Sequence, residues 1–187
     1  MSIKGSVTTS DYLNFDSTLN KAMKMIKNDR NYKFGFLIVF GINTGLRISD
    51  ILKIKVSDFQ NDSLVLFESK TNKKRIIKLN DNVKRGFKLL LEREPNLDGY
   101  IFTSNQNTVF SVQYINRKIK NVFGTKTNSV SSHSLRKTFG RQVWKNNNET
   151  DRALLYLSEL FNHTSPAITR RYLGIRQEEL DDIYMSL

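Results

Sequence analysis

The sequence predicts an α+β fold, mainly α with a small antiparallel β-sheet, and three observations carry that prediction. Apolar residues recur at helical spacing through most of the chain. One stretch, residues 63–79, switches to two short strand-like runs around a basic turn. With two prolines, nine glycines and no Gly/Ser-rich or Pro-rich segment, nothing divides the 187 residues into halves. A single domain over 1–187 is therefore expected, with residues 1–10 a flexible polar leader and 176–187 a C-terminal amphipathic helix.

Taken in order, Leu19, Ala22, Met23 and Ile26 lie at helical spacing, and the apolar run from Tyr32 to Asn43 reads as a second, largely buried helix. Asn43-Thr44-Gly45 breaks it, and a short helix from Arg47 to Lys53 follows, with Ile48, Ile51 and Leu52 on its buried face. Leu64–Phe67 and Arg75–Leu79 read as two strands of a hairpin around Ser69–Lys74. Helical spacing returns in Val83, Phe87, Leu90 and Leu91, and again in Val112, Ile115, Ile119 and Val122, with Tyr100-Ile101-Phe102 between them. The last third reads as helical throughout. Ser165-Pro166 is a good helix start: Ser accepts an orphan backbone N–H bond, and Pro at the first helical position loses none. The final helix carries Leu180, Ile183, Tyr184 and Leu187 as a stripe that needs a cover.

Composition narrows the function. Thirty Lys and Arg against 18 Asp and Glu give a net charge of +12, which favours nucleic acid or another polyanion as partner. The charge is uneven: residues 173–187 hold one Arg and four acids, so an acidic tail follows a basic body and suits a protein neighbour or its own core. The absence of cysteine excludes disulfide scaffolds and thiolate nucleophiles, and two histidines do not make a metal cluster by themselves, so no metal site is expected. The N-terminus has no apolar signal core and the apolar run Phe34–Ile42 is too short to span a bilayer, so no membrane association and a cytoplasmic, nucleoid-associated location are expected.

Four separated segments bring residues suited to phosphate chemistry: Thr44–Asp50 with Arg47, Lys70 in the basic turn, His133-Ser134-Leu135-Arg136, and His163 with Tyr172. Singly they are weak. Arg47 reads equally well as an ion-pair partner of Asp50 three residues on, the Lys70 turn as a solvated hairpin edge, and the histidines as structural. Together they are specific. In order and spacing the chain resembles the catalytic domain of the tyrosine recombinases, the phage-integrase family, from about Asn31 to about Leu173. Thr44-Gly45-Leu46-Arg47 resembles the first-arginine box, Asp50 its acidic position, Lys70 the β-turn lysine, and His133-x-Leu135-Arg136 the His-x-x-Arg box. Leu160-Phe161-Asn162-His163 followed by Tyr172 resembles the last box and its nucleophile. Two positions depart from the pattern. Asn162 stands where relatives commonly have Gly, and Asn is the next-best residue for a left-handed helix C-cap. Asp50 is often Glu in relatives.

The resemblance implies the recombinase catalytic-domain fold and a site-specific recombinase that cleaves and rejoins DNA through a 3′-phosphotyrosyl link. Tyr172 is then the nucleophile, Arg47 and Arg136 the phosphate clamps, His133 the base, Lys70 the acid, His163 a phosphate ligand and Asp50 an orienter of neighbouring groups. No cofactor is implied. Lys73, Lys74, Arg75, Lys137 and Arg141 are the expected DNA-contacting residues. Implied partners are double-stranded DNA, other protomers of a DNA-bound tetramer through residues 176–187, and accessory DNA-bending proteins. Only about 30 residues precede the resemblance, so an N-terminal DNA-clamping domain is not expected in this chain. Three other readings stay open: a DNA-relaxing topoisomerase of the same chemistry, an inactive DNA-binding regulator of the same fold, and an RNA-binding helical domain without chemistry.

Overall fold

The computed structural model describes residues 10–70 and 72–187. Nine α-helices and one two-stranded sheet are present among them. Helices α1 (Phe15–Asn28) and α2 (Tyr32–Thr44) come first, then the single turn α3 (Ile48–Ile51) and a 3-10 turn at Val56–Phe59. The hairpin β1 (Ser63–Phe67) and β2 (Lys74–Lys78) is followed by α4 (Asp81–Arg93) and α5 (Val112–Phe123). Helices α6 (Ser132–Asn146), α7 (Asp151–Phe161), α8 (Pro166–Tyr172) and α9 (Ile175–Met185) complete the chain. The strands are antiparallel, the hairpin expected around the basic turn, and Val65 stands opposite Ile76.

Helix α2 is the axle. Phe34, Phe36, Leu37, Ile38, Val39, Phe40 and Ile42 are all buried, because α1, α4 and α6 pack around it and leave it no solvent face. Its rings join Phe59, Phe87 and Phe102 in an aromatic cluster, with Phe59 stacked on Phe87 at a centroid separation of 4.1 Å. Truncating such a buried ring to Ala costs about 3–5 kcal/mol. Ile115 and Ile119 of α5 close this core, and the run at 100–102 crosses it as a bridge, with Lys55 paired to Tyr100 and Ile101 and Phe102 buried.

A second apolar cluster, Leu154, Leu157, Phe161, Leu173 and Ile175, gathers α7, α8 and the root of α9 against Phe139, Val143 and Trp144 of α6. Gly140 permits the approach: a Cβ there would lie 2.6 Å from Leu173 Cδ2 and 3.0 Å from the Phe161 ring. Caps follow the sequence signals. Asn14, Asn80, Ser111, Thr150 and Ser165 each accept a backbone N–H in the first turn of their helix, and Pro166 opens α8.

The expected leader lies outside the described residues except for Ser10, and there the structure differs. Ser10 is buried and its hydroxyl shares a 2.7 Å hydrogen bond with Ser131. Asp11 exchanges bonds with Ser129, and the Leu13 N–H donates to Thr138 Oγ1 at 2.8 Å, so the chain is pinned to the start of α6 from residue 10 onward. The terminal stripe also differs from the reading that folds it onto the chain's own core. Ile175 alone of α9 is buried, whereas Leu180, Ile183, Tyr184 and Leu187 are exposed.

Candidate active site

The site lies where the two clusters meet. Arg47, Lys70, His133, Arg136, His163 and Tyr172 line one open cleft of about 460 Å³, with Leu46, Ile48, Ser49, Val112, Ser132, Phe161 and Asn162. Six residues scattered over 126 positions of sequence are thus brought to one place.

Arg47 is delivered by the end of α2. Gly45 caps that helix in the left-handed conformation (φ +61°), where a Cβ would also strike Phe139 at 2.3 Å, and the reversed chain buries Leu46 and turns Arg47 into the cleft at the start of α3. The alternative pairing with Asp50 is not formed. Arg47 Nη1 instead meets Glu68 Oε2 at 2.6 Å, and Nη2 donates to the Phe161 carbonyl at 3.4 Å. Asp50 is buried and accepts the Ser69 N–H at 2.9 Å, which ties α3 to the turn that carries Lys70. Lys70 is exposed at the cleft's edge.

Arg136 is 5% exposed on α6 and its fork is set by backbone: Nη1 donates to the Gly45 carbonyl and Nη2 to the Phe161 carbonyl at 3.1 Å, with the guanidinium 4.3 Å above the Phe161 ring. Burial, more than the neighbouring Arg47 and Arg75, lowers its pKa to about 10, so it remains a cation at neutral pH. His133 stands one turn earlier. Desolvation, then Arg136 and Lys137, push its pKa below the usual histidine value and favour the free base.

Helix α7 ends at Asn162, which adopts φ +55°, ψ +45°, so Asn performs the left-handed cap expected of it. His163 follows, its Nδ1 2.9 Å from Thr169 Oγ1 and its pKa lowered by burial, Arg136 and Arg47 in that order. Tyr172 ends α8 with its ring edge-on to His163 at 5.2 Å and to Phe161 at 5.7 Å, and with the Lys137 ammonium 5.3 Å above it. Its hydroxyl is buried with no hydrogen-bond partner among the described residues, and burial raises its pKa to about 12 against the opposing pull of Arg136 and Arg47.

Two residues expected to meet DNA are committed within the chain. Arg75 bridges Glu68, the Thr44 carbonyl at 2.9 Å and the Leu160 carbonyl. Arg141 is stacked over Tyr12 and Trp144 and paired with Glu178 of α9. Lys73 and Lys74 are exposed, with Lys73 Nζ 2.7 Å from Asn162 Oδ1, and Lys137 is half-buried beside Tyr172. The sequence reading missed Phe161, whose carbonyl gathers both catalytic-candidate arginines, and Thr169, which orients His163. It also missed Glu68, buried to 5% exposure between two guanidinia. An acid two residues before Lys70 in a charged turn was the available signal for Glu68, and it looks the same as a solvated hairpin edge.

Comparison with known proteins places the chain in a family and its fold among solved structures. The phage integrase family model matches residues 15–179. A Bacillus subtilis (strain 168) protein named "Probable integrase/recombinase YoeC" is 36% identical over 155 residues, covering 81% of each chain. Among solved structures, the XerA recombinase superposes with a TM-score of 0.69 at 20% identity, over 98% of this chain and 66% of that one. The XerH site-specific recombinase, in a post-cleavage complex with its palindromic difH substrate, gives 0.62 at 19% identity, over 93% and 52%. The structural likeness establishes the fold, and the chain spans about half to two thirds of those longer proteins. With a family model over most of its length and a relative matched over 81% of both chains at 36% identity, the chain belongs to the phage integrase family, the tyrosine recombinases.

Proposed function

We propose that this chain breaks and rejoins double-stranded DNA at specific sites, with Tyr172 as the nucleophile. The single observation that carries the reading is the Tyr172 hydroxyl, buried without a partner among the described residues in a cleft lined by Arg47, Arg136 and both histidines. An unsatisfied buried hydroxyl costs about 1–3 kcal/mol, and one placed among cations is suited to meet an anionic substrate. The scissile phosphodiester is that anion.

The arrangement can perform each step. Arg47 and Arg136 hold the non-bridging oxygens, whose charge grows in the five-coordinate transition state. Tyr172, with its pKa raised to about 12, enters as the phenol and must lose its proton on attack; His133, held as the free base, accepts it. His163, oriented by Thr169, offers its other ring nitrogen to the phosphate. Lys70 on the turn protonates the departing 5′-oxygen. The products are a 3′-phosphotyrosyl link and a 5′-hydroxyl, and attack by another strand's 5′-hydroxyl reverses the step with no net change in bond type. Lys73, Lys74 and Lys137 contact the DNA backbone. Protomers assemble as a tetramer on DNA through residues 176–187, with accessory DNA-bending proteins as further partners, and the chain acts as a single catalytic domain.

A trapping assay tests this. Wild type and Tyr172→Phe are incubated in EDTA with a nicked duplex made from the sequence flanking the chain's own gene, then run on a denaturing gel. A covalent band is expected in wild type alone, with DNA binding equal in both. A band that survives in Tyr172→Phe moves the nucleophile elsewhere.

A further inference from the structure

The two phosphate-clamp candidates are held in different ways. Arg136 is fixed by main-chain carbonyls at both ends of its fork and by a ring beneath it. Arg47 is the more exposed of the two, and its short contact is to a carboxylate, Glu68 Oε2 at 2.6 Å, supplemented by a long bond to Phe161. A carboxylate beside a phosphate site opposes anion binding, so affinity alone does not account for it. The second oxygen of Glu68 removes the difficulty. It meets Arg75 Nη1 at 3.2 Å, so the buried acid is neutralised by Arg75 and the charge of Arg47 remains available to the substrate.

Arg75 also has the connections of an anchor. Its Nη2 donates to the Thr44 carbonyl, three residues before Arg47, and its Nη1 lies within reach of the Leu160 carbonyl, three residues before His163. Arg75 sits on β2 and Glu68 follows β1, and Lys70 is two residues beyond Glu68. One ion triad centred on the buried Glu68 therefore joins the hairpin that carries Lys70, the turn that carries Arg47 and the helix end that carries His163.

We propose that Glu68, backed by Arg75, is a positioning residue for strand cleavage: it engages one nitrogen of Arg47 so that the rest of the guanidinium is presented to the scissile phosphate. This rests on the role of Arg47 given above. Arg75 accordingly acts as an internal counter-ion and anchor rather than as a DNA contact.

The test has an arm that needs no chemistry and an arm that does. In the first, side-chain Nε–H relaxation of Arg47 is measured by NMR on the full chain without DNA, the signal being assigned by its loss in Arg47→Lys. It is expected to be ordered in wild type and mobile in Glu68→Ala, with an order parameter below about 0.6. Glu68→Gln, which keeps the shape and one acceptor, is expected to fall between them and guards against an unfolded Ala variant. An Arg47 that stays ordered in both variants overturns the proposal.

In the second arm, covalent capture is timed at saturating nicked duplex in a double-mutant cycle. Glu68→Ala is expected to slow capture by about a hundredfold, the scale of one lost oxyanion donor, with DNA affinity changed less than about threefold. In an Arg47→Ala background the same substitution should cost nothing further, because it acts through Arg47. Fully additive losses, or a loss confined to DNA affinity, overturn the proposal. A wild type that never captures DNA, together with an Arg47 loosened in Glu68→Ala, refutes the recombinase reading and leaves the hold of Glu68 on Arg47 standing.

Discussion

His163 and Tyr172 show how a few angstroms of burial beside cations set the chemistry of single residues. His163 is desolvated and faces Arg136 and Arg47, so its folded pKa lies below the value in the unfolded chain. Between those two values the unfolded state holds the proton more firmly, and stability rises with pH. The contribution is complete above the unfolded value of about 6.5 and is lost as pH falls through the folded one. The melting temperature of wild type is therefore expected to fall more steeply between pH 7 and pH 5 than that of His163→Gln, in which only carboxylates and His133 titrate. Equal slopes in a pH series of thermal melts would show that the cationic cleft does not act on this ring. Tyr172 is displaced in the opposite sense for the same first reason, burial, so acid and base in the cleft are both held in their uncharged forms.

At the scale of elements, helix ends do the positioning. Gly45 ends α2 and Asn162 ends α7, both left-handed, and each is followed within two residues by a candidate catalytic side chain. Since Asn162 serves as a backbone device, Asn162→Gly should change stability by less than about 1 kcal/mol. Asn162→Val, whose branched Cβ opposes that conformation, should cost about 1–2 kcal/mol. Urea unfolding with an unchanged m-value measures both, and equal midpoints would show that the cap's conformation is not what matters. Gly45 and Ser165-Pro166 were legible in the sequence because they signal through local backbone energetics, Asn162 through the resemblance of its box, the hairpin through two strand-like runs around a basic turn and α2 through its apolar run. Glu68, Arg75 and Arg141 were not legible. A charged side chain looks the same on paper whether it meets water or another chain segment 21 to 37 residues away. Pairing to Arg47, to the Thr44 carbonyl or to Glu178 is a tertiary outcome with no local signal. Ser10 escaped for the same reason, its partner lying 121 positions off.

Over the whole molecule, charge and apolar surface are divided between body and tail. Residues 173–187 carry a net −3 and the remainder +15, so a polyanion is drawn to the body and repelled by the tail. Helix α9 is nonetheless held at its root: Ile175 is buried, Glu178 meets Arg141 and Tyr12, and Glu179 meets Arg170. Beyond that root nothing among the described residues covers Leu180, Ile183, Tyr184 or Leu187. Fixing a helix by its first turn while leaving its outer turns apolar and bare stabilises the monomer little, and it suits a contact with a second protomer. Truncation after Glu179 separates the two roles, since it keeps every root contact and removes only the bare stripe. The melting temperature should then move by less than about 2 °C, equivalent to under about 1 kcal/mol for a chain of this size. Capture at a single nicked site should persist, while the complex joining two duplexes, followed on native gels, should be lost. Unfolding on truncation would return the stripe to the chain's own core, and an intact two-duplex complex would place the contact between protomers elsewhere on the body.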